Sequence, residues 1–345
     1  MKKLKTSRPA FITTLLCLSA AAAQAENSYH FIKEIKIGGP GGWDYVSVDP
    51  SAHRLYVSHA TKVVVIDTAS DTIVGEITNT PGVHGVAVDP QIPKLFVSNG
   101  RGNNVSLVDP ATLQTLSQTA TGKNPDCILF EPSQSEVYAF NGRSGTASVL
   151  NAGTGQVVAT IDLGGKPEFA VADPAAGRVY DNLEDKSEVA VIDVKSHTVV
   201  DRWPIAPGES ASGLALDAKN HRLFLGCDNQ MMIMMDSRNG KMLGQVPIGE
   251  GVDANAFDPG TGLAFASCGR SATTTIARED GDQLTVVQTL KTEPGARTMA
   301  VDPLTHRIYL ATAKMEAPVE GERRGRMVPD SFKILVYGMD EADSH

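Results

Sequence analysis

The stretch DPSAHRLYVSHATKVVVIDTASDTIVGEI, Asp49 to Ile77, decides the fold. Its opening acid–proline pair returns at Asp89-Pro90, Glu131-Pro132, Asp173-Pro174, Asp258-Pro259 and Asp302-Pro303, and Asp217-Ala218 keeps the acid without the proline. These seven occurrences are spaced by 40 to 44 residues. Between them lie short runs rich in Val, Ile and Tyr, bounded by Gly, Pro, Asp and Ser, with no helical periodicity. A repeat of this length made of short strands is a four-stranded blade, so the expected class is all-β, a seven-bladed β-propeller.

The quoted stretch, with the residues just before it, divides into four strands: Trp43–Val48 (A), Arg54–His59 (B), Lys62–Asp67 (C) and Thr72–Ile77 (D). Strand C ends on Asp67, Asp109, Asn151, Asp193 and Asp236 in successive repeats, side chains suited to hold the C–D turn by accepting backbone amides. The seventh repeat offers strand A near Arg297–Val301, strand B at Arg307–Thr312 and one more strand at Phe332–Gly338, but no fourth. Tyr29–Ile37, YHFIKEIKI, reads as that missing strand. An open ring would expose two strand edges, so the N-terminal segment is expected to pair as the outer strand of the last blade.

Residues 1–25 read as a signal peptide. Lys2, Lys3, Lys5 and Arg8 precede an apolar run, Ala10–Ala22, and the small-residue site Ala23-Gln24-Ala25. The apolar run is too short to span a bilayer, so no membrane insertion and a periplasmic or secreted location are expected. The propeller then covers 26–339, followed by a polar tail at 340–345. Without the first 25 residues the chain holds 27 basic against 40 acidic residues, a formal charge of −13. That balance disfavours nucleic acid as a partner. Cys127, Cys227 and Cys268 remain, an odd number for an oxidising compartment. Cys227 and Cys268 end equivalent strands, which admits a disulfide as well as two reduced, buried thiols.

The segments RLYVSH, KLFVSN, SEVAVIDVKSHTVV and GEGVDANAFDP resemble the YVTN-repeat β-propellers, the YncE-type exported proteins in particular. The resemblance spans nearly all of the chain after the first 25 residues. It implies seven blades and export, and carries over no catalytic residue, because the recurrent motif is structural. Trp43-Asp44 is not a WD40 signature, since that pair belongs at the end of strand C.

In a propeller the first residues of strand A surround the mouth of the central channel. Five positions before each acid of the repeat stand Asp44, His84, Asp126, Glu168, Ser212, Asp253 and Arg297, six of them ionisable. This inner ring is the candidate binding site. The B–C loops, expected on the same face, add an outer ring of Lys62, Arg101, Arg143, Lys186 and Arg270, with Arg323, Arg324 and Arg326 in the last blade. The outer bases either neutralise the inner acids or receive a small anionic molecule, peptide or protein partner. Ala313–Ser331 is far longer than an ordinary hairpin loop and reads as a lid or a surface flap. His59 and His84 point toward the mouth and, with Asp44 and Asp126, form a candidate ligand set for a divalent metal. His53, His221 and His306 fall in A–B turns on the opposite face. Met231, Met232, Met234 and Met235 sit in a strand C and read as core packing.

Hydrolase, P-loop and dinucleotide motifs are absent from the sequence. The expected function is that of a monomeric binding or scaffold protein with its ligand or partner at the mouth. The alternative is a lactone or ester hydrolase at the same place, with His84 or a carboxylate as general base and Arg297 facing the oxyanion.

Overall fold

The structure, a computed structural model, describes residues 28–89, 92–316 and 325–339. The expected signal peptide, the polar tail, and Arg323 and Arg324 of the long loop lie outside the described residues. No helix among the described residues is long and apolar enough to cross a membrane.

The chain forms seven antiparallel sheets of four strands each. In blade 1 the strands are Trp43–Asp49, Arg54–His59, Lys62–Asp67 and Thr72–Ile77. Blades 2 to 6 repeat this meander, beginning with inner strands at Val83–Asp89, Pro125–Glu131, Pro167–Asp173, Ala211–Asp217 and Val252–Asp258. Blade 7 takes three strands from the C-terminal region, Thr298–Asp302, Arg307–Thr312 and Lys333–Gly338. Its fourth is the N-terminal His30–Lys36, antiparallel to Lys333–Gly338, so the ring closes as expected.

Both turn types are held by their acids. The Asp67 Oδ1 accepts the amides of Ala69 (3.1 Å) and Ser70 (2.9 Å), and Asp193 does the same for Lys195 and Ser196. The acid of the repeat has the matching task at the A–B turn: Asp49 accepts Ser51 and Ala52, and Glu131 accepts Ser133 and Gln134. The A–B turn also needs a left-handed residue, met by His53 (φ 52°), His221 (φ 59°) and His306 (φ 57°). His306 does more than turn the chain: its Nδ1 lies 2.7 Å from Asp258 of blade 6, tying two blades together.

The core consists of seven apolar clusters, one at each interface between neighbouring blades, the last joining blade 7 to blade 1. The third residue of strand B is aromatic in every blade: Tyr56, Phe96, Tyr138, Tyr180, Phe224, Phe265 and Tyr309. All are essentially fully buried, each in the cluster shared with the next blade. Burying each is worth roughly 2–3 kcal/mol. The methionine run packs as expected, with Met232, Met234 and Met235 inaccessible. Cys127, Cys227 and Cys268 are buried free thiols, so the disulfide alternative for Cys227 and Cys268 is not realised.

Closure rests on the N-terminal strand. Tyr29 packs edge-on against Phe265 of blade 6 and its hydroxyl donates to the His306 carbonyl (2.8 Å). Removing residues 28–37 is expected to lower the melting temperature by roughly 5–10 °C, and to produce aggregates through the exposed Lys333–Gly338 edge. Differential scanning fluorimetry with size-exclusion chromatography checks this; a monomer of unchanged melting temperature would contradict the closure.

Candidate binding site at the channel mouth

Strand A reaches the mouth in an unusual local form. In blades 1 to 6 the start of strand A lies in a register shift against strand B, over its second and third residues in blades 1 to 4 (between Trp43 and Val46, for example) and over its second alone in blades 5 and 6 (between Ala211 and Gly213, and between Val252 and Ala254). One extra residue bends the strand end and re-aims the side chains toward the axis. Strand B serines secure these bends. Ser58 Oγ accepts the Asp44 amide (3.2 Å) and donates to the Tyr45 carbonyl (2.7 Å). Ser98 Oγ accepts the Gly85 amide (2.9 Å) and donates to the Asp126 carbonyl in the next blade (2.7 Å).

The inner ring divides into groups rather than forming one circle. Asp44, His84 and Asp126, from three successive blades, each offer one ligand atom, and these atoms lie within 4.8 Å of one another. His84 Nδ1 is hydrogen-bonded to Asp44 Oδ2 and stands 3.3 Å from Asp126 Oδ1. Arg297 Nε donates to Asp253 Oδ2 (2.6 Å), and its guanidinium stacks over Trp43, 5.6 Å from the ring centre. Glu168 is paired with Lys166 Nζ at 3.0 Å, and Lys166 also bonds Glu184. Lys166, two residues before Glu168 on the preceding loop, belongs to the site although its position in the repeat does not single it out. Ser212 does not serve the mouth: its buried hydroxyl donates to the Val252 carbonyl (2.9 Å).

His59 is a correction to the expected metal set. It is buried between blades 7 and 1 with its ring 4.4 Å from that of Phe332, and it is not part of the Asp44–His84–Asp126 group. Its place at the end of strand B points it into the interface, which leaves Asp44, His84 and Asp126 of the expected set together.

Among the described residues, Lys62, Arg101, Arg143, Lys186 and Arg270 make no ion pair with the inner acids. Lys62 pairs with Glu76 of its own blade (2.6 Å), and Lys186 lies 3.8 Å from Asp185. Arg101, Arg143 and Arg270 are exposed and make no ion pair among the described residues. The B–C loops do share the mouth face with the loops entering strand A. The amides of Ala60, Gly100 and Gly142 bond the carbonyls of Gly42, Gly82 and Asn124 in those loops. The described ends of the long loop meet at a bridge between Met315 and Met327, beside a hollow of about 460 Å³ lined by Trp43, Pro40 and Pro329.

Directly below the ring the channel is crossed by Tyr45. Its hydroxyl donates to the Glu168 carbonyl (3.2 Å) on the opposite side, and its ring meets Phe169 edge-on at 5.2 Å. The corresponding residues of the other blades are Gly85, Cys127, Gly213, Ala254 and Thr298, small enough to leave the two rings room. The mouth is therefore a cup with an aromatic floor. A second residue beyond the expected ring is Asp181, in strand B of blade 4, where other blades carry Val57, Val97, Ala139, Leu225, Ala266 or Leu310. It is fully buried and neither carboxylate oxygen has a hydrogen bond among the described residues.

Proton affinities at the mouth are shifted in one direction. Burial pulls the His84 imidazole down, but its bond to Asp44 and the charges of Asp126 and Asp44 outweigh this and lift it to about 9. Burial raises Asp126 to about 8 against the pull of His84. Burial likewise raises Glu168 to about 7 against Lys166, and raises Asp253 against Arg297. Asp181 is pushed well above the carboxylate range by burial and then by Glu168.

No family model matches the chain, and no curated protein matches it. Solved structures do. The structure of U3-55K is similar over 88% of this chain and 98% of that one, with a TM-score of 0.72 at 12% identity. A chain of Kuenenia stuttgartiensis hydrazine synthase is similar over 73% of this chain and all of that one, with a TM-score of 0.52 at 17% identity. At these identities the likeness is one of fold.

Two outcomes follow from the cup. Each raised group binds its proton more tightly folded than unfolded, so its stabilisation is complete below the unfolded value and disappears as pH rises through the folded one. For Asp126, Glu168 and His84 together, stability is expected to fall from about pH 4 to about pH 9, by about 1.4 kcal/mol per pH unit for each extra proton held. Asp126→Asn should flatten the slope of a urea-melt series between pH 6 and 9. Tyr45→Ala removes the floor and is expected to cost roughly 3 kcal/mol in the same assay, against less than about 1 kcal/mol for Tyr45→Phe.

Proposed function

We propose that this chain is an exported, YVTN-type binding propeller that holds a small anionic ligand in the cup at its channel mouth. The observation that carries the reading is the convergence of Asp44, His84 and Asp126 at the channel mouth, beside the Tyr45 ring that reaches across to Glu168. Recessed, convergent polar groups are the general mark of a ligand site. The anionic class follows from the rim, where Arg101, Arg143 and Arg270 have no partner among the described residues while the cup's own acids are already matched to His84, Lys166 and Arg297. Guanidinium groups without an internal carboxylate are suited to carboxylate or phosphate. Export is supported by the basic, apolar and small-residue order of residues 1–25.

The hydrolase alternative gains no such support. Arg297 is committed to Asp253, the Ser212 hydroxyl to Val252, and His84 Nδ1 faces two carboxylates.

Citrate, inorganic phosphate and glutarate, tested by thermal shift and titration calorimetry, are expected to stabilise the chain by a few degrees in at least one case. Arg143→Ala and Arg101→Ala should weaken that response several-fold, and His53→Ala, on the opposite face, should leave it intact. No response to any probe, or equal losses in all three variants, would remove the mouth as the site.

A further inference from the structure

We infer that Asp44, His84 and Asp126 form a binding site for one divalent cation of the zinc class. The inference deepens the mouth reading and rests on it. It starts from the orientation of His84. Nδ1 faces Asp44 and Asp126, while the other ring nitrogen is held by the side chain of Asn124. Gly100 makes this arrangement possible: a Cβ there would lie 2.4 Å from His84 Nε2 and 2.9 Å from Asn124 Oδ1. Asn124 is itself fixed, with a left-handed backbone (φ 56°) and its amide bonded to Asn103 Oδ1 (2.9 Å). When Nε2, on the Asn124 side, carries the only ring proton, Nδ1 presents its lone pair toward the two acids, the state in which it can ligate a metal. Such outer partners are what orient metal-ligating histidines.

A lone pair aimed at two carboxylate oxygens is repulsive unless a positive centre lies between them. Two carboxylates and a neutral imidazole carry a charge of −2, which a divalent ion cancels. The three ligands arrive on strands from blades 1, 2 and 3, and the backbone of each strand end is tied. Asp44 is held through Ser58 and through Thr298 Oγ1, which donates to its carbonyl (2.8 Å), and Asp126 through Ser98. Three protein ligands leave at least one coordination position for water or an anion, the pattern of an open site rather than a closed structural one. An imidazole among the donors favours Zn²⁺ and its neighbours over Mg²⁺ and Ca²⁺, which prefer oxygen alone. Arg101 and Arg143 stand on the B–C loops of blades 2 and 3 at the same mouth, so a bound cation would add to the positive surroundings of an anionic ligand.

The competing occupant of the same position is a proton, giving an imidazolium bridged between the two acids. Titration calorimetry on the full chain, purified without a polyhistidine tag and stripped with chelator, separates the two. Zn²⁺ is expected to bind with a stoichiometry of one and at least tenfold more tightly than Mg²⁺ or Ca²⁺. His84→Ala and Asp126→Asn should each weaken it at least tenfold, and His53→Ala, in a turn on the opposite face, less than threefold. Co²⁺ added to the unaltered chain should give visible ligand-field bands that Zn²⁺ displaces, a readout independent of how the variants fold. Absence of stoichiometric Zn²⁺ binding, or binding indifferent to both substitutions, would overturn the inference. If Zn²⁺ fails while citrate or phosphate still stabilises the chain in an Arg143-dependent way, the cup binds anions without a metal. If Zn²⁺ binds and no anion does, the metal site holds and the anion reading falls.

Discussion

A four-stranded blade has two apolar faces and can bury neither by itself. Each strand C is inaccessible along most of its length, as in KVVVID of blade 1, so a blade is stable only between two neighbours. The strand B aromatics show how the constraint is met: Tyr56 reaches blade 2, Phe96 blade 3, and so on round to Tyr309, which reaches blade 1. Seven such contacts leave no free face only if the ring closes. The N-terminal strand therefore has a task no other strand can take over, since it covers the last edge and adds Tyr29 to the interface between blades 6 and 7.

Closure also creates the site. The inner strands of seven blades converge on one axis, and the extra residue near the start of six of them turns ionisable side chains inward. Four acids in so small a space would repel strongly if left alone. The fold answers with three local partners, His84 between Asp44 and Asp126, Arg297 on Asp253 and Lys166 on Glu168, and with burial that raises the proton affinity of Asp126 and Glu168. Tyr45 then separates this polar mouth from the channel below. A single aromatic does so because small residues stand at the same position in five other blades and Phe169 meets it from the far side.

Much of this was legible in the chain before any coordinates. The strands of blade 1 lie within one residue of where acid–proline spacing and turn residues put them, and the turn-capping role of Asp67 and Asp193 is as read. The inner ring was legible as a set of positions. Its internal pairing was not. His59 and His84 look alike in a linear reading, yet one stacks on Phe332 in an interface and the other stands at the mouth, because one ends a strand B and the other begins a bent strand A. Ser212 occupies a ring position but turns its hydroxyl to a neighbouring strand. Two signals were present and would have been found by aligning the strands against one another. They are the strand B aromatics, and Asp181 at an otherwise apolar position.

The amino-acid sequence alone determined the number of blades, their strands and the segment that closes the ring, because these depend on short-range periodicity and turn chemistry that recur every 40 to 44 residues. It also singled out a set of positions near the start of the inner strands. The tertiary structure decided which of them meet. Asp44, His84 and Asp126 come from blades 40 and 42 residues apart, and their separation depends on bends at the strand ends, on Ser58 and Ser98, and on the space left by Gly100. Those are relations between side chains of different blades. A repeat fixes where each side chain starts, but rotamer, register and the packing of a neighbour fix where its last atom ends.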